Sequence, residues 1–62
     1  MMYEIIPTFN GYEIRKQNGN FYLYASKVYK GKYMWTTDHT YAKKFSLKNA
    51  EKHIEILNNN NI

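Results

Sequence analysis

The 62-residue sequence contains no cysteine, one proline and three glycines. The absence of cysteine excludes a disulfide and any metal site built on thiolates. Long apolar runs are also missing: none approaches the roughly 20 residues that a membrane-spanning helix needs. No basic segment followed by an apolar one marks a signal peptide. We therefore expect a cytoplasmic protein that has no membrane partner.

Residues for catalysis are equally sparse. Ser26 is expected in a strand and Ser46 at a helix cap, so no recognisable Ser/His/Asp or Cys/His arrangement exists. His39 and His53 do not have the ligand spacing of a known metal centre, and the isolated glycines form no phosphate-binding loop. We expect His39 in a turn and the His53 ring packed beside a helix. The sequence predicts no enzyme activity, no metal and no cofactor.

Positive charge and aromatic side chains are what the sequence has instead. Nine lysines and arginines against five acidic residues give a net charge of +4. That charge permits an acidic protein or a nucleic acid as partner without requiring either. The seven tyrosines, three phenylalanines and one tryptophan must supply much of the core, because a chain of about 60 residues buries only about 60% of its unfolded surface. Self-association could add stability, so both a monomer and a small homo-oligomer remain open.

Asn18 and Gly19 predict the central hairpin. A type I′ turn needs positive φ at both central residues, and Asn and Gly accept it most readily. With these two as the loop, side-chain alternation sorts the strands into two faces. The core face carries the apolar residues Tyr12, Ile14, Phe21, Leu23 and Ala25. The opposite, open face pairs Arg15 with Tyr22 and Glu13 with Tyr24, and no segment is left to cover it.

Lys30 and Gly31 predict a second hairpin, whose loop length decides which way the next strand faces. A two-residue loop turns Trp35 to the open face. A three-residue loop that includes Lys32 turns Trp35 and Tyr33 to the core face. We favour the three-residue loop, because a chain this short needs to bury its tryptophan. This choice also places two apolar residues on the open face: Val28 and Met34.

The flanking segments complete the sheet and its cover. Residues 2–6 predict an edge strand beside residues 12–16, joined through a turn at Asn10 and Gly11. Pro7 lacks an amide donor and suits an edge. Residues 42–45 are too few to distinguish a helical turn from a short strand. The aromatic side chains at the end of this region are expected to pack under the helix that follows: Tyr41 and Phe45.

Ser46 begins the one clear helix, since its hydroxyl can accept from an early backbone amide. An apolar stripe follows at helical spacing: Leu47, Ala50, Ile54 and Leu57. Ile56 falls off the stripe and is expected to be partly exposed. We predict one α+β domain over residues 1–57 and a frayed, Asn-rich tail over residues 58–62. The domain is a three-stranded antiparallel sheet, or a four-stranded one if residues 2–6 pair, with one C-terminal helix packed on one face.

The open face and the second hairpin supply the candidate binding residues. Arg15, Tyr22 and Tyr24 place aromatic rings beside a cation, an arrangement that stacks bases or anchors a protein partner. Three lysines form a projecting cationic tip that can contact phosphates or an acidic surface: Lys27, Lys30 and Lys32. Tyrosine is also simply a good strand former, and lysines around a turn also keep strand edges apart. We take all six residues as partner-binding candidates.

Two resemblances bear on function. The aromatic strand over residues 21–28, the strand with Trp35 and the helix from Ser46 resemble the arm-type DNA-binding domain of tyrosine recombinases. In that family the sheet enters the major groove, so the resemblance implies nucleic-acid binding. This chain departs from the family in lacking a densely basic sheet face.

The second resemblance lies in composition and in three short segments: WTTD at residues 35–38, AKKFS at residues 42–46, and AE at residues 50–51. They resemble small proteins of phages and mobile elements in AT-rich bacteria. This implies a non-enzymatic protein, anti-CRISPR-like or of the host-takeover type, in the cytoplasm of a bacterial host. Such a protein inhibits or modulates a host protein or defence complex by occupying its functional surface. Nucleic-acid binding through the open face and the lysines is the alternative.

Overall fold

The computed structural model describes residues 2–59 and shows a four-stranded antiparallel sheet followed by one α-helix. The strands lie in sequence order as β1 (Tyr3–Thr8), β2 (Gly11–Asn18), β3 (Phe21–Tyr29) and β4 (Lys32–Thr36). A short 3₁₀ helix (His39–Tyr41) and α1 (Leu47–Asn59) follow them. The predicted α+β fold is confirmed, and the fourth strand is present.

β1 is the edge strand that residues 2–6 predicted, and it extends further. Pro7 lies within it, opposite Tyr12; an edge position tolerates its missing amide donor. Thr8 lies opposite Gly11, so the loop consists of Phe9 and Asn10. The Thr8 hydroxyl donates a 2.8 Å hydrogen bond to the Gly11 carbonyl across this turn.

The β2–β3 hairpin forms, but its loop is Gly19-Asn20, because Asn18 lies opposite Phe21. The predicted Asn18-Gly19 loop is therefore wrong. The loop moves by one residue, and the pairing of β2 with β3 shifts by two residues. Gly19 has φ 63°, and positive φ at the first central position alone is the pattern of a type II′ turn. Because the shift is two residues, the side chains of β2, and those of β3 as far as Ala25, stay on their predicted faces. Arg15 therefore lies opposite Tyr24.

The β3–β4 hairpin closes through a two-residue loop, so the predicted three-residue loop is wrong. Lys30 (φ 50°) and Gly31 (φ 78°) both adopt positive φ, as a type I′ turn requires. A bulge between Ala25 and Lys27 then returns Trp35 to a position opposite Ala25. Bulges insert one extra residue and so reverse the alternation beyond them. Trp35 and Tyr33 face the core as predicted. Val28 also packs against the core and not on the open face.

β2 and β3 separate beyond the Arg15–Tyr24 pair, and residues 43–45 lie between them. The Lys43 amide donates to the Ala25 carbonyl at 2.8 Å. Tyr12 and Phe45 exchange two backbone hydrogen bonds of 3.0 and 2.7 Å. The segment is thus extended, and Phe45 is buried under α1 as predicted. Tyr41 is 70% exposed, so the expectation that it packs there is wrong.

The core lies between the sheet and α1, which packs on β1 and β2. The Ser46 hydroxyl caps α1 by accepting from the Asn49 amide at 3.2 Å, as predicted. Leu47 and Phe21, both predicted to face the core, are exposed, because they lie at ends that the packed elements do not cover. Five apolar residues are buried: Ile14, Ala25, Phe45, Ala50 and Leu57. Ile56 is partly exposed as expected. α1 ends two residues inside the predicted tail, and residues 60–62 lie outside the described chain.

Aromatic rings cover the remainder of the face that α1 occupies. The Trp35 ring lies 5.8 Å from that of Tyr3 and 6.2 Å from that of Tyr33. Lys16 extends over this cluster, with Nζ 4.2 Å from the centre of the Trp35 ring. The Lys16 ammonium group thus lies over the face of the Trp35 ring at cation–π distance. α1 does not cover the opposite, open face of the sheet.

Candidate functional site

Arg15 is at the centre of the open face and holds two neighbours in place. Its Nε lies 3.0 Å from Oε1 of Glu4, the residue opposite it on β1. Its Cζ lies 3.9 Å from the centre of the Tyr22 ring. Tyr22 is thus stacked diagonally, while Tyr24 is the residue directly opposite. Glu4 compensates the charge, so this Arg15 cluster (Glu4, Arg15, Tyr22) offers a flat stacked surface more than a net cation.

The 3₁₀ helix covers part of the open face, which was predicted to have no cover. The His39 ring lies 6.0 Å from that of Tyr24, which is half-buried. Asp38 holds the 3₁₀ helix in place, because its carboxylate accepts from the Thr40 amide at 2.9 Å. That hydrogen bond lowers the pKa of Asp38. Tyr24 is therefore less available to a partner than Tyr22.

The three predicted lysines meet at the β3–β4 end around a residue that sequence reasoning missed, Tyr29. The Nζ atoms of Lys27 and Lys30 lie 5.9 and 5.4 Å from the centre of its ring. Lys32 lies opposite it in the ladder. Tyr29 is 61% exposed. The bulge turns Lys27 and Tyr29 to the open face, so simple alternation could not place Tyr29 in this lysine tip (Lys27, Tyr29, Lys30, Lys32).

The six predicted residues do not form one patch. Tyr22 and Tyr29 are seven positions apart on β3, which is roughly 20 Å at the rise of a strand. Neither ion pair of residues 2–59 involves a lysine of the tip. The Arg15 cluster is therefore a compensated, stacked surface, and the lysine tip is an uncompensated cationic one.

A cleft of about 510 Å³ opens on the same face, between the β1–β2 turn and the 3₁₀ helix. Glu13 is at its floor, 3% exposed, and accepts from Lys44 Nζ at 2.6 Å. Phe9 stands fully exposed at its rim. Tyr24 and His39 also line it. No sequence pattern indicates this site, because residues 43–45 must enter the sheet before Lys44 can reach Glu13.

Within residues 2–59, no group of three or more His, Cys, Asp or Glu side chains could hold a metal ion. No helix of the described chain has the length and apolar character to cross a membrane. Comparisons of the chain with protein-family models, with curated proteins and with solved structures gave no match. The Arg15 cluster, the lysine tip and the cleft are therefore the candidate functional surfaces.

Proposed function

We propose that this chain is a small non-enzymatic binding protein, encoded by a phage or mobile element, that acts in the cytoplasm of a bacterial host. It inhibits or modulates a host protein or defence complex by occupying the functional surface of that partner. The observation that carries this proposal is the Arg15 cluster: an arginine held by Glu4 at 3.0 Å and stacked on a tyrosine that remains 38% exposed.

The cluster suits a protein partner for energetic reasons. Tyr and Arg dominate the residues whose truncation weakens interfaces most. Tyr22 offers a large contact area with few rotatable bonds, and the Arg15 stack immobilises it before binding, which lowers the entropic cost of association. A cross-strand pair of this kind also stabilises a sheet without any ligand. Only a comparison of binding with folding separates the two roles.

The test begins with capture from host lysate on the immobilised chain, followed by purification of the dominant captured protein. Calorimetry then measures its affinity. Tyr22→Ala should weaken binding about thirtyfold, as a central interface tyrosine does. Tyr41→Ala, which truncates an exposed tyrosine on the 3₁₀ helix, is the matched control and should leave affinity unchanged. Equal affinities for a folded Tyr22→Ala variant and the unmodified chain would reject the cluster as the site.

Nucleic-acid binding is the second candidate, and the lysine tip is the observation that favours it. An exposed aromatic ring beside three cations matches the way proteins hold single strands, by base stacking and phosphate contact. Binding should weaken as salt rises, with each lysine-phosphate contact contributing about 0.7 to the logarithmic slope on single strands. Lys27→Gln and Lys30→Gln should each reduce that slope.

The control for the tip is Lys48→Gln on the exposed side of α1, which should not alter the slope. Tyr29→Ala should lower affinity for a single strand with the slope unchanged, because it removes stacking and no charge. Mobility-shift experiments at low salt that detect no complex with single- or double-stranded DNA or RNA would eliminate this candidate.

A further inference from the structure

Glu13 is the one buried charged residue of residues 2–59, and it faces the cleft. Burying an ion pair costs desolvation energy that the mutual attraction often fails to recover, so such a pair is weak evidence for a stabilising role. Tethering residues 43–45 does not require it either, because three backbone hydrogen bonds already hold that segment. The hydrogen-bonding groups of Glu13 and Lys44 are therefore candidates for contact with a ligand.

The pair brings three polar atoms together, because the two carboxylate oxygens of Glu13 share one carbon and one of them bonds to Lys44. Glu13 Oε2 accepts from Lys44 Nζ at 2.6 Å, and Oε1 has no partner among the described residues. No fully buried side-chain nitrogen or oxygen in that part of the chain lacks a partner, so Oε1 must keep contact with solvent. Lys44 is 33% exposed at its side chain and has two further N–H donors. From Oε1 to Nζ, the order is acceptor, acceptor, donor.

The complement of that order is donor, donor, acceptor, and among the four RNA bases only guanine presents it. Its Watson–Crick edge carries N2–H, N1–H and O6 in sequence. Adenine offers one donor beside one acceptor, cytosine two acceptors and a donor, and uracil a donor between two acceptors. We propose that the cleft binds a guanine base, with Glu13 accepting from N2–H and N1–H and Lys44 donating to O6.

The surroundings of the pair suit a planar base. Phe9, Tyr24 and His39 provide ring surfaces around the cleft, and a base stacked on one aromatic side chain gains about 1–3 kcal/mol. Small-molecule sites commonly occupy about 300–1,000 Å³, and the cleft has about 510 Å³. The net charge of +4 attracts the phosphate of a nucleotide from a distance. A free guanine nucleotide and a guanine within a single strand share this chemistry.

The test is an NMR titration of the ¹⁵N-labelled chain with GMP, IMP and AMP. GMP should shift the amides of Phe9, Glu13 and Lys44 in a saturable manner. IMP, which lacks the N2 amine, should bind about tenfold more weakly, as expected for a lost hydrogen bond to a charged group. AMP should give no saturable shift. Equal responses to AMP and GMP, or no response to GMP, would overturn the proposal.

Two arms distinguish the sources of the base. An oligouridine with one central guanosine should bind more tightly than GMP if the site reads a strand, and no more tightly if it reads a free nucleotide. Both outcomes require the guanosine, so equal shifts of the Phe9, Glu13 and Lys44 amides by oligouridine without it would contradict the proposal.

Variants test the assigned atoms. Glu13→Gln replaces one acceptor by a donor and should abolish the preference for GMP over AMP, whereas Glu51→Gln on exposed α1 should keep it. Should Glu13→Gln fail to fold, Phe9→Ala provides the second variant, because Phe9 is fully exposed. It should weaken GMP about tenfold through lost stacking. Unchanged GMP affinity in a folded Phe9→Ala chain, or an unchanged preference for GMP over AMP in a folded Glu13→Gln chain, would reject the site. The cleft is separate from the Arg15 cluster, so this result is independent of the protein-binding proposal.

Discussion

The Tyr33 hydroxyl on β4 lies 2.8 Å from Nδ1 of His53 on α1. The contact joins the last strand to the helix, which otherwise packs on β1 and β2. In the tautomer protonated at Nε2, the tyrosine donates and Nδ1 accepts. The Phe45 ring also packs against His53, with its centre 5.3 Å from that of the imidazole. His53 thus links α1 to β4 at this edge of the core.

Removal of the Tyr33 hydroxyl should measure what this contact contributes. Tyr33→Phe keeps the ring stacked on Trp35 but deletes the donor, and we expect a loss of about 1 kcal/mol in the free energy of unfolding. Urea denaturation followed by Trp35 fluorescence would measure it. Tyr41→Phe, at an exposed tyrosine, is the matched control and should change nothing. A Tyr33→Phe chain as stable as the unmodified one would show that water replaces the bond at no cost.

The stability of the protein should fall when the pH drops below the ordinary histidine pKa of 6.5. Burial, assisted by the positive charges of Lys52 and Lys43, lowers the pKa of His53. The unfolded chain then binds a proton more readily than the folded one, so stability is fully present above 6.5 and declines as the pH falls toward the lowered value.

Urea denaturation at about pH 7 and about pH 5 tests this linkage. His53→Gln should flatten the pH dependence in that window, while the exposed His39 remains in both proteins as an internal control. The same slope in the variant would assign the dependence to another group.

Two glycines, Gly11 at the start of β2 and Gly19 in the β2–β3 loop, should respond differently to a methyl group. Gly11 has φ 144°, and an added Cβ would lie 3.2 Å from the Phe45 carbonyl oxygen, on backbone that cannot move aside easily. Gly19 has φ 63° and open space around it. We expect Gly11→Ala to cost about 2–3 kcal/mol and Gly19→Ala about 1 kcal/mol. Thermal melts of the two variants would compare them; equal losses would mean that the inserted segment yields to the methyl group.

Lys30 should be replaceable with a gain in stability. It is the one non-glycine of the described chain with positive φ, and Asn before Gly is the preferred pair in a type I′ turn. Lys30→Asn should add about 0.5–1 kcal/mol by relieving backbone strain. Lys32→Asn, in β4 beyond the loop, is the control and should add nothing. A destabilised Lys30→Asn chain would indicate that the lysine stem packs usefully on Tyr29.

How far the site was predictable depends on which contacts are local. Tyr22 and Arg15 could be placed on one face because alternation along β2 and β3 needs only the positions of apolar residues. The residue opposite each of them could not be predicted. A register shift of two residues leaves both faces unchanged, so hydrophobic alternation does not distinguish the two registers. Tyr29 joined the lysines only through the bulge at residues 25–27. The cleft could not be inferred at all.

Local chemistry along the chain was sufficient for the class of fold, the strands near their observed positions, the Ser46 cap and the two faces of the sheet as far as the bulge after Ala25. These features depend on turn residues, on alternation and on contacts within one helical turn. Tertiary structure settled the conflict between a Lys30-Gly31 turn and a buried Trp35, and it satisfied both through a bulge. It also brought Lys44 to Glu13, 31 positions away. Both outcomes depend on contacts between segments that are distant in sequence, and the residues around a single position do not determine such contacts.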